Sequence, residues 1–475
     1  MTITATTIAE TTIAETLATR IAGVTYDTLP DAVRHWAKVA IIDTVGCTLA
    51  GAAEPCARIA GHVATIGGAP IAGGGPCVIF GTARRAGPMD AAAINGTAAH
   101  ALDYDDCSDT LGGHPSAPIL PALFALAETL PANGRDVIAA YVAGWETETR
   151  IARGVNFHHY EKGWHPTATL GVFGAAAACA RLLGLTVEKT ARALALAATF
   201  SSGLKANFGT MTKPLHVGQS ARNGLYAALL ASQDFTASTD AIEHRQGFLR
   251  VFNGDGNFNA EPIVAEWGAP WDIVDPGLAI KQYPCCGSTH PAIDAMLMLV
   301  RQNDLTPGNV AKIESRTHPR RFAHTNRPDP HGALDAKFSV QYCLARALIS
   351  RQVLIEHFED GSYDRPDVRA VLARVSSTSW PDRPMDPSEH FGADVTVTLT
   401  DGRVLTQSVR RPLGRGPTMP LPPEMLRGKF IDCAKRSLSL TAVNQLFGLL
   451  DTLETVNCIS TLTEATIPGT RLAAE

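Results

Sequence analysis

Apolar residues recur at helical spacing through roughly the first 270 residues of this chain. Asp31–Ala53 carries a stripe at Val33, Ala37, Ala40, Ile41 and Val45, steps of three and four that line one helix face. Ile119–Leu130, Asp136–Arg153, Glu188–Phe200 and Gly218–Ser232 continue the pattern, separated by Gly, Pro and Asn. Thr169–Leu185 differs: its run GVFGAAAACARLLGL is built from small residues. Small side chains let helices approach closely, so this segment is expected to be a central buried helix.

The pattern changes near Trp271. Val310–Thr317 alternates as a strand does, and Asp394–Val409 alternates on both sides of Asp401-Gly402, a hairpin signal. Helical segments are expected at Pro291–Asn303 and Ala336–Ser350, and again at Glu424–Leu453 after the proline-rich Pro412–Pro423. The expected fold class is mainly α: a large helical domain, residues 1–275 and 411–475, interrupted by a smaller α+β lid domain, residues 276–410. No repeat of fixed period is present.

Composition narrows the function. At 475 residues the chain is long enough for about two or three domains. Its net charge of −5, with Lys and Arg scattered beyond pairs such as Arg84-Arg85 and Arg320-Arg321, leaves no nucleic-acid footprint. No apolar run reaches the roughly 18 residues of a membrane span. The Thr-rich N-terminus lacks a basic segment followed by an apolar core, so no secretory signal is expected. Ten cysteines include no CxxC pair, and Cys285 and Cys286 are adjacent, which is poor geometry for a mutual disulfide. Free thiols in a reducing cytoplasm are the expectation. No GxGxxG follows a strand and no GxxxxGK[ST] occurs, so no nucleotide, nicotinamide or flavin cofactor is supported.

The chemistry concentrates in a few loops. His100–Ser116 reads HALDYDDCSDTLGGHPS, with Asp103, Asp105 and Asp106 ahead of a glycine pair and His114. A second loop carries His165 in Gly-Trp-His-Pro, and a third carries Lys213 in Thr-Lys-Pro-Leu-His. Histidine is the side chain most easily tuned to exchange protons near neutrality. A lysine at a helix start suits a carboxylate. The acids could instead bind a metal, but no HxxxH or HExxH spacing accompanies them, so none is expected. In PCCGSTHP a cysteine nucleophile paired with His290 lacks an oxyanion feature. A substrate contact by His290 fits better.

HALDYDD…GHPS, GWHPTATLGVFGAAAA, TMTKPLHVGQSARNG, KQYPCCGSTHPAID and AKFSVQY, taken in this order, resemble the MmgE/PrpD family over most of the chain, from about Glu15 to the 450s. The resemblance implies a helical domain with an α+β lid, a homodimer, and no metal or organic cofactor. It implies a lyase that dehydrates or decarboxylates a di- or tricarboxylate such as 2-methylcitrate or cis-aconitate. The alternatives are an epimerase of a dicarboxylate such as iminodisuccinate, or a carboxylate-binding protein without activity. By matched position, the resemblance implies that Asp103, His114, His165 and Lys213 are catalytic and that Cys107, Lys281 and His290 bind substrate. Cys107 stands where the family's decarboxylases carry threonine. The implied roles are proton transfer for His114 and His165, carboxylate binding for Lys213, Lys281 and His290, and orientation of a histidine or a lysine for Asp103. The lid is expected to close on the substrate.

Overall fold

The computed structural model describes residues 11–66, 74–359, 361–381 and 392–470. The first ten residues of the N-terminal stretch read above lie outside them. The described chain packs as two compact units. The larger holds the residues before Leu102, Asp105–Leu278, and those from Glu424 onward; the smaller holds Leu102–Tyr104 and Ala279–Pro423. The expected boundaries at 276 and 410 therefore differ from the packing: the main segment of the smaller unit starts at Ala279. The smaller unit runs on to Pro423, and it takes three residues out of the acid-rich loop.

The larger unit is helical, apart from two-residue strand pairings such as that of Cys77–Val78 with Arg85–Ala86. Asp31–Gly51, Ser116–Ala127, Gly134–Val155, Gly171–Leu182, Val187–Phe200 and Thr212–Ser232 are its longer helices among those expected. Gly171–Leu182 is central and buried, as its composition predicts. A Cβ on Gly144 would sit 2.6 Å from the Gly174 carbonyl oxygen, and one on Gly224 would sit 2.4 Å from the Ala175 Cβ. Glycine at these positions is what lets neighbouring helices touch. Among the helices that escaped the sequence pattern are Ile13–Ala22, started by a Thr12–Glu15 capping box, Pro55–Ile66, and Pro88–His100, started by Pro88 in the first turn.

Glu424–Leu453 was expected as one helix and is broken into Pro423–Ala434 and Leu440–Asp451. Ser439 caps the second, accepting from the Ala442 amide, so its side chain competes with helix continuation. A buried ion pair, Lys429 Nζ to Asp43 at 2.6 Å, ties this C-terminal region to the helix Asp31–Gly51.

In the smaller unit a four-stranded sheet runs in the order Val375–Ser379, Val310–Thr317, Ala393–Leu399, Val404–Val409. The first pair is parallel and the others antiparallel. Ala393, Val395, Val397 and Leu399 are buried in alternation, as the hairpin pattern predicts. His290–Asn303 and Val340–Ser350 pack together, and His290–Asn303 also packs on the hairpin. The edge strand Val375–Ser379 was missed: only Val375 in VSSTS is buried, so there is no apolar alternation to read.

Among the described residues no single helix is long and apolar enough to cross a membrane.

Candidate active site

Two helices of the larger unit cross where neither has a side chain. A Cβ on Gly218 would stand 2.2 Å from the Ala93 carbonyl oxygen, and one on Gly96 would stand 2.9 Å from the Gly218 Cα. The crossing brings His100, last residue of Pro88–His100, to the same region as Lys213, in the first turn of Thr212–Ser232. Lys213 was read as part of the loop entering this helix; it is already helical and buried. The loops carrying His114 and His165 are tied to each other. The His114 amide donates to Thr167 Oγ1 at 3.1 Å, next to a close approach of Gly113 and Thr167. His165 is extended (φ −96°, ψ 95°) before Pro166, as a residue preceding proline should be.

Asp105 is the hub. Its carboxylate takes His100 Nδ1 at 2.9 Å and His114 Nδ1 at 3.2 Å, both onto Oδ2. Burial would push its pKa up, but the two imidazoles outweigh burial and hold it well below the usual carboxylate range. His100 is fully buried, and burial lowers its pKa to about 4 despite the Asp105 carboxylate. It is therefore a neutral donor at physiological pH. The His100 ring stands edge-on to His114, with centroids 4.5 Å apart, and its centroid is 5.8 Å from that of His165.

His165 Nδ1 lies 3.3 Å from His216 Nδ1, and the ring edge of His165 meets Phe208. Burial first, then the neighbouring imidazoles and the Lys213 ammonium, hold His165 well below its ordinary pKa. Burial and then Lys213 lower His216 too. Cys107 Sγ is 3.8 Å from His114 Nδ1. Asp106 behaves differently from its neighbour. Burial raises its pKa well above the ordinary value, with Ser116 hydrogen-bonded to it opposing the rise. Burial thus favours its neutral form, and its carboxyl is engaged by Ser116 rather than by a site histidine.

The MmgE/PrpD N-terminal domain matches residues 15–261, and the MmgE/PrpD C-terminal domain matches residues 283–450. The chain belongs to the MmgE/PrpD family. The human protein named cis-aconitate decarboxylase is 31% identical over 458 residues, covering 94% of this chain and 92% of that protein. The Aspergillus terreus protein of the same name is 30% identical over 460 residues, covering 92% of each. A mouse protein of that name is 30% identical over 389 residues, covering 79% of this chain and 78% of its own.

Of the positions inferred for this MmgE/PrpD chain, Cys107, His114, His165 and Lys213 belong to the larger unit. Asp103, Lys281 and His290 belong to the smaller. There, Lys281 Nζ is 3.1 Å from Asp103 Oδ2 and donates to the Asp103 carbonyl at 2.6 Å. Lys337 donates to the Leu102 carbonyl at 2.6 Å, and Tyr104 to the Gln282 carbonyl at 3.0 Å. Asp103 has a left-handed backbone, φ 54°, held by these contacts. Of the two partners expected for Asp103, the structure gives the lysine, and the carboxylate on His114 is Asp105. His290 is buried, with Nε2 3.3 Å from the Cys285 carbonyl and its ring edge-on to Tyr283. Cys285 is fully buried with its thiol 3.2 Å from Thr289 Oγ1, which leaves no approach for a reacting carbon.

Sequence reasoning missed the individual parts played by His100, Asp105, His216 and Lys337. His100 and His216 lay inside the quoted motifs, but only the folded structure, with its helix crossing at Gly96 and Gly218, brings both to His165. The ligand-type atoms of His100, Asp105 and His114 all lie within 4.8 Å of one another, a grouping that no spacing rule finds.

Proposed function

We propose that this chain is a cofactor-independent lyase that decarboxylates cis-aconitate or a close tricarboxylate. The carrying observation is the His114–Asp105 pair: an imidazole hydrogen-bonded to an ionised carboxylate, with a side chain 12% exposed, beside the Lys213 cation and two neutral, buried imidazoles. The family membership and the likeness to cis-aconitate decarboxylases support decarboxylation over dehydration or epimerisation.

The chemistry follows from the substrate. Loss of carbon dioxide from the CH2–COO⁻ arm leaves an electron pair that is conjugated through the adjacent double bond with the remote carboxylate. The transition state thus gathers negative charge at the far carbon and its carboxylate. Lys213 is the cation that stabilises this charge, which in a water-poor site counts for more than in solution. One proton must then reach that far carbon. His114 is suited to give it, because the Asp105 anion stabilises its imidazolium form. The product is a 2-methylene dicarboxylate, and His114 regains its proton from water at its exposed edge. His165, held neutral, cannot serve as an imidazolium acid at physiological pH; it donates a hydrogen bond to the substrate instead.

Proton NMR of the enzyme in deuterium oxide with citrate, 2-methylcitrate, cis-aconitate and iminodisuccinate tests this. Vinylidene signals from cis-aconitate, with one deuterium in the methylene group of the product, are expected. Alkene formation from 2-methylcitrate alone would replace decarboxylation with dehydration. Deuterium uptake into iminodisuccinate without a new skeleton would make the enzyme an epimerase. No change in any substrate would leave a binding protein.

A further inference from the structure

We propose that His100, Asp105 and His114 form a three-ligand site for a zinc-class divalent ion, and that the ion switches the enzyme off by occupying His114. Two imidazole nitrogens and one carboxylate oxygen make a donor set suited to Zn²⁺ and Co²⁺. The ligand atoms already converge. His100 Nδ1 and His114 Nδ1 lie 2.9 and 3.2 Å from the same Asp105 oxygen, and no pair in the group is more than 4.8 Å apart. Ligands about 2.0–2.1 Å from a tetrahedral zinc are separated by about 3.3 Å. Two of the three edges are thus near their final length, and closing the third, at most 4.8 Å, to about 3.3 Å requires a relative shift of about 1.5 Å at most, which two imidazoles can share by rotation.

The elements that carry the ligands are held independently of any ion. His100 ends a helix packed at Gly96 against Gly218. Asp105 and His114 lie on the loop fastened to Thr167. The site is therefore largely formed in advance, and binding exchanges two hydrogen bonds to Asp105 for three coordinate bonds. His100 and Asp105 are fully buried, while the His114 side chain is 12% exposed. An ion enters past His114, and its remaining coordination position faces that side. Lys213, whose charge reaches His100 and His165, opposes a second cation here. The site is therefore expected to take metal reversibly rather than retain it through purification.

Inhibition rests on the decarboxylase reading, because a coordinated His114 cannot carry the proton; binding does not rest on it. The test uses full-length chelator-treated protein titrated with Co²⁺ alone, followed by displacement with Zn²⁺. One Co²⁺ per chain is expected, with the intense visible absorption of a four-coordinate site, abolished by one equivalent of Zn²⁺. Asp105→Asn, nearly the same shape, should weaken Co²⁺ binding at least tenfold while near-ultraviolet circular dichroism confirms native packing. Cys107→Ser should keep one ion per chain with the same spectrum, since the thiol 3.8 Å from His114 Nδ1 is not among the three ligands. Zn²⁺ should abolish turnover, and chelator should restore it. Three results would each overturn the proposal: no saturable one-to-one binding; a pale six-coordinate spectrum unchanged in Asp105→Asn; or binding lost in Cys107→Ser yet kept in Asp105→Asn. If no substrate is turned over, the cobalt spectrum still decides the site, so failure of the decarboxylase reading is separate from failure of this one.

Discussion

Asp105→Asn isolates the feature on which the chemistry depends. The substitution keeps size and planarity but removes the charge that faces both His100 and His114. The asparagine carbonyl can still accept from one imidazole, so the ring positions should hold. What disappears is the charge-assisted part of the His114 contact. A hydrogen bond to a charged group contributes about 1.5–3 kcal/mol, and about 1.36 kcal/mol is tenfold in rate. If that energy acts on the protonating step, kcat should fall by about 10- to 150-fold with little change in KM. The alkaline limb of the kcat profile should also move to lower pH, because no anion then favours the imidazolium. Stability has its own signature. Asp105 has a depressed pKa in the folded chain. Its stabilising contribution is therefore present above the unfolded value of about 3.9 and is lost as pH falls through the lower folded value. Wild type should lose this increment under acid, and Asp105→Asn should lack it throughout. Stopped assays of carbon dioxide release from pH 5 to 9 measure the first effect, and thermal unfolding of the same preparations, carried down through the acid range below the unfolded value of about 3.9, measures the second. An unchanged kcat in folded Asp105→Asn, with the alkaline limb in place, would refute the assignment of His114 as the Asp105-supported acid.

Lys213→Ala should raise KM strongly and lower kcat as well, and Lys213→Arg should not restore full activity, because a planar fork does not replace a compact ammonium; steady-state kinetics on both variants check this. Gly218→Ala places a Cβ 2.2 Å from the Ala93 carbonyl oxygen and from Thr97 Oγ1, so the helices must part. A loss of about 1–3 kcal/mol of stability is expected, with a fall in kcat that Gly224→Ala, further along the same helix, does not reproduce. Activity should survive exhaustive chelation; loss with EDTA and recovery with one divalent metal would make the histidine–aspartate group a cofactor site. Sedimentation at micromolar concentration should give the mass of two chains, and a monomer that retains full turnover would dismiss the homodimer.

The helical body was legible in the sequence because a buried face leaves a period in the apolar residues: the stripe from Val33 to Val45 and the small-residue run around Gly174 need no partner to be recognised. The strands at Val310–Thr317 and across Asp401-Gly402 were legible for the same reason at period two. Pro88–His100 was not, because it is buried nearly all round and so has no polar face to set off an apolar one. Val375–Ser379 failed in the opposite way, an exposed edge with one buried residue.

For the site, the residue types and their loops were determined by the sequence alone. The His-Pro steps, the acid-rich run and the Thr-Lys-Pro turn are local chemistry, and local chemistry is written in order along the chain. Which acid serves which base was decided by tertiary structure. Asp103 and Asp105 are two residues apart, yet one turns to Lys281 in the smaller unit and the other to His100 and His114 in the larger. Adjacency in a loop does not set side-chain direction; the packing on each side does. His100 and Lys213 are more than a hundred residues apart, and only the contact of two glycines, Gly96 and Gly218, makes them neighbours. Charges and protonation follow the same rule, because desolvation and partner distance exist only once the chain is folded: two imidazoles hold the Asp105 pKa down, while burial pushes that of the adjacent Asp106 up.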